Sequence, residues 1–168
     1  MLNLESIKET PLDNTRSQEL LGDLGRKDTL KIFAEFTQCG EFGGNREYIN
    51  IYRGDSTLEC RIVKDSVVCH FDSNGKKFFR IENKTYTISK STTKAITNYL
   101  ELLVRYSLKE KEWFANVAGY FSANITRGVD YRKDFSVDVF DSEGHWIYFD
   151  ILKNEIKTTS NRVDDSTR

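Results

Sequence analysis

Proline is almost missing from this chain, with Pro11 alone among 168 residues. That scarcity fits regular elements joined by glycine and asparagine turns, and it argues against a disordered chain. Histidine occurs only at His70 and His145, and cysteine only at Cys39, Cys60 and Cys69. No CxxC or HxxxH spacing arises among them, so neither a metal site nor any other cofactor is expected. His70 directly follows Cys69, which on a strand sends the two side chains to opposite faces and denies them a nucleophile–base contact. Three thiols without an export signal suit small buried side chains in a reducing compartment. Long apolar runs are also lacking: none approaches the roughly 20 residues that span a bilayer. The N-terminal stretch has no apolar h-region and carries Glu5 and Glu9, so it does not resemble a secretory signal. The chain is therefore read as cytoplasmic, with no membrane partner. Finally, 25 Lys and Arg stand against 26 Asp and Glu, a formal net charge of −1. Without a basic excess there is no global case for nucleic acid as a partner.

Aromatic residues are plentiful. Eleven Phe, eight Tyr and two Trp supply the bulk of a core, and 168 residues are enough for one domain to bury it. One long helix is expected over Ser89–Tyr106, extending to about residue 108. Ala95, Ile96, Tyr99, Leu100, Leu103 and Tyr106 recur along it at helical spacing, and Ser89, Ser91 or Thr92 can cap its start. Strand patterns lie on both sides of it. Leu30, Ile32, Ala34 and Phe36 alternate with more polar neighbours, as do Glu47, Ile49 and Ile51, and further short runs read TLECRIV, SVVCHF, KFFRIE and TYTIS. Asn74-Gly75 is a hairpin signal between the last two pairs of runs. After the helix, Phe121, Ala123 and Ile125 alternate again. These patterns predict an α+β fold: a mainly antiparallel, curved sheet of about eight strands with the 89–108 helix packed on it. Residues 1–28 read as a polar surface segment with a short helix near Arg16–Leu24, residues 29–156 as the domain, and residues 157–168 as a disordered tail.

The stretch Asp134–Leu152, DFSVDVFDSEGHWIYFDIL, reads as a hairpin. With a three-residue loop at Ser142-Glu143-Gly144, Val139 would pair with Ile147 and Val137 with Phe149, giving one apolar face. The opposite face would then carry Asp134, Asp138, Phe140, Trp146, Tyr148 and Asp150, with Asp141 and Glu143 beside it. From Val129 to Leu152 six acids (Asp130, Asp134, Asp138, Asp141, Glu143, Asp150) face two bases (Arg132, Lys133). Exposed rings among carboxylates are what a protein presents to a basic partner, since rings supply contact area and acids steer the encounter. The eight residues Asp134, Asp138, Phe140, Asp141, Glu143, Trp146, Tyr148 and Asp150 are thus the expected partner-binding set.

Chemistry is less well supported. The glycine-rich CGEFGGN stretch lacks the lysine and following helix of a phosphate loop. Asp138 or Asp141 with Glu155 and Lys157 imitates the acid…acid-x-lysine layout of metal-dependent nucleases, but in an acidic region that repels phosphate. On the first two strands Lys31, Phe33, Arg46, Tyr48, Asn50 and Tyr52 share one side, as in a single-strand stacking platform. The expectation is a non-enzymatic protein-binding module of inhibitor or immunity type, neutralising a basic toxin or nuclease through residues 134–152. A small hydrolase or transferase using Cys39 or an acid cluster is the alternative, and a single-stranded nucleic-acid binder a further one.

Overall fold

A computed structural model describes residues 21–22, 24–37, 44–55, 57–68, 77–109, 119–128, 132–141 and 146–165. Within them the chain runs β1 (Thr29–Phe36), β2 (Arg46–Arg53), β3 (Leu58–Val68), β4 (Lys77–Thr87), α1 (Lys90–Ser107), β5 (Gly119–Arg127), β6 (Arg132–Asp141) and α2 (Tyr148–Asp165). The strands form one antiparallel sheet in the order β4-β3-β2-β1-β5-β6. The fold is α+β, as the alternation of patterns predicts, with six strands and two helices among the described residues. Both helices pack on the same face of the sheet, because the inward residues of the strands and the apolar stripes of the helices form one core cluster. No described helix is long and apolar enough to cross a membrane.

The central helix forms where its stripe places it. Ile96, Tyr99, Leu100 and Leu103 are buried, and the Ser89 hydroxyl accepts from the Thr92 amide at 3.2 Å, satisfying one free donor of the first turn. In β1 and β2 the alternation is equally faithful: Leu30, Ile32, Ala34, Ile49 and Ile51 all face the core.

Four expectations are corrected. The runs on either side of Lys64-Asp65 are a single strand, β3, and those on either side of Asn83-Lys84 are a single strand, β4. Lys64 and Asp65 look like a turn because they are charged, yet each has a cross-strand partner. Lys64 reaches Glu47 at 2.8 Å, and Asp65 accepts from Arg80 at 2.9 Å, with a bulge carrying the ladder past them. Next, of residues 1–28, including the helix expected near Arg16–Leu24, all before Leu21 lie outside the described residues, but Leu21 and Leu24 are not surface residues: both lie in the core cluster, and Arg53 donates to the carbonyls of Leu24 and Gly22. The second half of the expected hairpin is also not a strand. From Tyr148 the chain is helical, because Phe149, Leu152 and Ile156 recur at i, i+3 and i+7 and all reach the core. That helix continues to Asp165, so Lys157 and Thr159 belong to it and not to a disordered tail. Lys157 pairs with Glu82 at 2.6 Å, and the Thr159 hydroxyl lies 2.8 Å from that of Thr92 on α1.

What holds α2 against the sheet is partly ionic. Glu47, only 3% exposed, points to the helical side of β2 among aliphatic neighbours. Lys64 of β3 and Lys153 of α2 both reach its carboxylate, at 2.8 and 2.5 Å, and Lys153 also meets Asp150 at 2.8 Å. Burial alone would pull the Lys153 ammonium down, but its hydrogen bonds to Asp150 and Glu47 outweigh that and its pKa ends above the ordinary value. The group therefore contributes fully below the ordinary lysine value, about pH 10, and its contribution is lost as pH rises through the raised one.

This network makes a stability prediction. Glu47→Gln should cost about 3 kcal/mol by urea denaturation at pH 7, because Lys64 and Lys153 lose their shared buried carboxylate and Lys153 keeps only the exposed Asp150. Glu47→Leu combined with Lys153→Met should recover most of the loss. A double variant as unstable as the single one would show that packing, not the uncompensated charge, sets the cost.

Candidate functional site

The helices cover one face of the sheet, and the other face carries no described element. Its side chains come from the alternate positions of all six strands, and strand register aligns them in rows. One row reads Asn83, Val63, Tyr48, Phe33, Ser122, Asp138 from β4 to β6, and the next reads Arg80, Asp65, Arg46, Glu35, Tyr120, Phe140. Aromatic rings join these rows. Phe140 lies 5.0 Å from Tyr120, Tyr120 5.8 Å from Phe33, and Phe33 5.0 Å from Tyr48, all in tilted or edge-on contact. The Lys31 ammonium sits 4.8 Å above the Tyr48 ring, and the Arg46 guanidinium 4.4 Å above Phe78 near the other edge.

The charges of this face are largely settled among themselves. Arg46 meets Glu35 at 3.3 Å across β1 and β2, Arg80 meets Asp65 across β3 and β4, and Arg61 donates to the Asn83 amide oxygen at 2.6 Å. The Tyr120 hydroxyl donates to Asp138 at 2.5 Å. Burial raises the Tyr120 phenol above its ordinary value, and the bond to Asp138 raises it further by favouring the protonated form. Among the described side chains of this face Lys31, Arg46, Arg61 and Arg80 are balanced by Glu35, Glu59, Asp65 and Asp138, while Lys133, opposite Thr126 in register, has its side chain outside the described residues and this count.

Of the eight residues expected to form a partner-binding hairpin, six have described side chains, and two of these lie on this face. Asp138 and Phe140 project from β6, and Phe140 is 57% exposed. Asp134 lies at the bulge of β6, with its side chain outside the described residues. Glu143 also lies outside the described residues, as do His145 and the whole Ser142-Glu143-Gly144 loop. Trp146 is corrected outright. It is 7% exposed and packs against Tyr99, Tyr106 and Phe121 under the helices, its rings filling the gap where β6 hands over to α2. Asp141 is buried too, and its carboxylate accepts from the Trp146 amide at 2.8 Å, bracing the approach to α2. Tyr148 and Asp150 are exposed, but on α2 at the opposite face, where Asp150 is paired with Lys153. The described part of the acidic aromatic surface expected from residues 134–152 is therefore divided between two faces of the molecule, and Asp138, Asp141 and Asp150 are each bonded to a group of this chain.

The nuclease-like set disperses in the same way. Asp138 faces outward on the sheet, Asp141 is buried, Glu155 is exposed on α2, and Lys157 pairs with Glu82. Cys39 and His70 lie outside the described residues. Cys60 is buried in the core, where desolvation pushes its thiol up to about 12.

The signal for the ring row was present in the strand alternation, since Phe33 and Tyr48 share one side of the first hairpin and Tyr120 one side of β5. Missing from the sequence was the lateral order of strands. Only β5 beside β1, and β6 beside β5, turns four separate rings into one continuous chain of contacts across two rows. A groove of about 430 Å³ lies between the helices, with Ala95, Leu102, Ile151 and Leu152 among its apolar lining and Lys94 and Glu155 among its polar lining.

The Cys60 environment can be checked directly. At pH 8 iodoacetamide should label Cys60 in the folded protein far more slowly than in urea, at least tenfold, when read by peptide mass spectrometry. Equal rates would mean that the thiol is neither buried nor raised.

No family model matches the chain, and no curated protein or solved structure matches it significantly.

Proposed function

We propose that this protein is a non-enzymatic protein-binding module whose docking surface is the helix-free face of the sheet. The observation that carries this reading is the chain of ring contacts Phe140–Tyr120–Phe33–Tyr48, which links two neighbouring rows on a face that no described element covers. Rings of this kind supply large, rigid contact area at low entropic cost, and they dominate the energetics of protein interfaces. An inhibitor or immunity-type role is the form this takes. Neutralising another protein by covering it requires contact area and shape, not chemistry by this chain.

The case for a basic partner is weaker, because Asp138, Asp141 and Asp150, the carboxylates of residues 134–152 whose side chains are described, are each engaged by a group of this chain. The balanced, internally paired charges among the described side chains of this face favour a partner recognised by rings and shape. It also favours protein over single-stranded nucleic acid. Stacking platforms for nucleic acid work beside a basic groove that follows the phosphates, whereas here Glu35 and Asp65 lie in the same row as Arg46 and Arg80.

The experiment is affinity capture of a partner from the source cells, with identification and then direct titration of that partner. Tyr48→Ala with Tyr120→Ala, folded by circular dichroism, should weaken the measured affinity at least a hundredfold. Ile151→Ser on the helical face should leave it unchanged, and raising NaCl from about 50 to 300 mM should shift it less than about threefold. Loss of binding in the helical-face variant, with none in the ring variant, would move the surface elsewhere and end this reading.

A further inference from the structure

We infer that in the absence of a foreign partner the helix-free face is covered by a second copy of this chain, stacked sheet on sheet about a two-fold axis parallel to the strands between β1 and β2. This rests on the reading of that face as a protein-docking surface, and it names the occupant.

The symmetry follows from the rows. Six strands place β2, β3 and β4 on one side of the β1–β2 boundary, matched in number by β1, β5 and β6 on the other. A two-fold axis along that boundary keeps each row opposite itself and exchanges β1 with β2, β5 with β3 and β6 with β4. In the ring row Phe33 of one copy then lies over Tyr48 of the other, and Tyr48 over Phe33. In the neighbouring row Arg46 faces Glu35 and Glu35 faces Arg46, Asp65 faces the Tyr120 hydroxyl, and Arg80 faces the Phe140 ring. In these two rows and in the one holding Lys31, Asn50 and Arg61, no like charges come opposite each other. Self-complementarity of this kind is what a two-fold interface requires, since the same patch is used by both copies.

The alternative axis, across the strands, fails the same test. It would lay the Arg80–Phe140 row on the row of Glu59, Tyr52 and Thr29, and bring Asp65 against Glu59. It would also place the rings of Phe33 and Tyr48 over Lys31 and Asn50 instead of over each other. Size is consistent as well. Six strands at roughly 4.8 Å spacing and four rows along them give about 600 Å² per copy. The total of about 1,200 Å² reaches the lower end of stable, specific interfaces. Two sheets stacked this way form the aligned arrangement of a β-sandwich, with helices on both outer surfaces.

Light scattering coupled to size exclusion at ~100 μM chain should return twice the 19.5 kDa chain mass, falling towards one copy on dilution. Arg46→Glu and Glu35→Arg are then prepared as separate proteins. Each places like charges across the axis and should run as a monomer, with association at least tenfold weaker. Mixed in equal amounts they should recover the double mass, because the acid at position 46 of one chain then faces the base at position 35 of the other. Should either fail to fold, one chain carrying Phe33→Asp with Tyr48→Asp and another carrying Phe33→Lys with Tyr48→Lys provide the same arms, since each alone sets like charges across the axis and the mixture sets opposite ones. A wild-type monomer at this concentration overturns the inference, as do variants that remain dimeric or a mixture that stays monomeric. Capture of a foreign protein through the ring row by a strictly monomeric chain would leave the proposed function standing without the dimer. A dimer that obeys the mixing rule, with no foreign protein captured, would do the reverse.

Discussion

A carboxylate taken out of water requires a cation, and Glu47 is the place where this fold meets that demand. It sits on β2 in line with Ile49 and Ile51, on the side that faces the helices, and it is satisfied by one lysine from β3 and one from α2. Leaving such a charge unpaired would cost several kcal/mol, a large fraction of a small domain's total stability. The ion pairs therefore dictate more than local geometry. They fix α2 over β2 and β3 with Lys153 inward, which in turn aims Phe149, Leu152 and Ile156 at the sheet. Lys157 and Glu82 repeat the device one turn further along, over β4.

Once both helices are committed to one face, the character of the other is decided. Most aliphatic side chains go under the helices, and the residues left on the open side are, apart from Val63 and Val67, mainly rings, amides, hydroxyls and charges. A bare sheet face with isolated charges would repel or attract indiscriminately. Here the cations and anions are interleaved across adjacent strands, so Arg46 with Glu35 and Arg80 with Asp65 settle their charges locally. What remains for recognition is the shape and area of the ring row. That is why the functional reading rests on aromatic contact and not on long-range steering.

The two ends of the chain show how a tertiary contact overrides a local pattern. Trp146 and Tyr148 flank Ile147, and this aromatic and β-branched run has strong strand propensity. Extending the window past Leu152 exposes a competing period, with Phe149, Leu152 and Ile156 on one helical stripe. The core favours it because that stripe fills the space between α1 and the sheet. Asp141 makes the change of direction possible by accepting from the Trp146 amide, an interaction between residues that a strand reading would have paired otherwise. At the other end, Leu21 and Leu24 belong to the core although their surroundings are polar. Two leucines three apart are too short a pattern to distinguish a buried turn from a surface one.

The residues alone determined the local elements whose period is long and uninterrupted: α1 with its Ser89 cap, the alternation of β1 and β2, and the inward Val137 and Val139 of β6. These are decided by side-chain spacing against a single apolar surface, which is a property of consecutive residues. Tertiary structure alone decided which strand lies beside which, and therefore which rings meet. Phe140, Tyr120, Phe33 and Tyr48 span more than a hundred positions of chain, and nothing in their spacing joins them. Their row exists because hydrogen-bonded ladders set β6 against β5 and β5 against β1, while the ion pairs of Glu47 hold the helices to the opposite side.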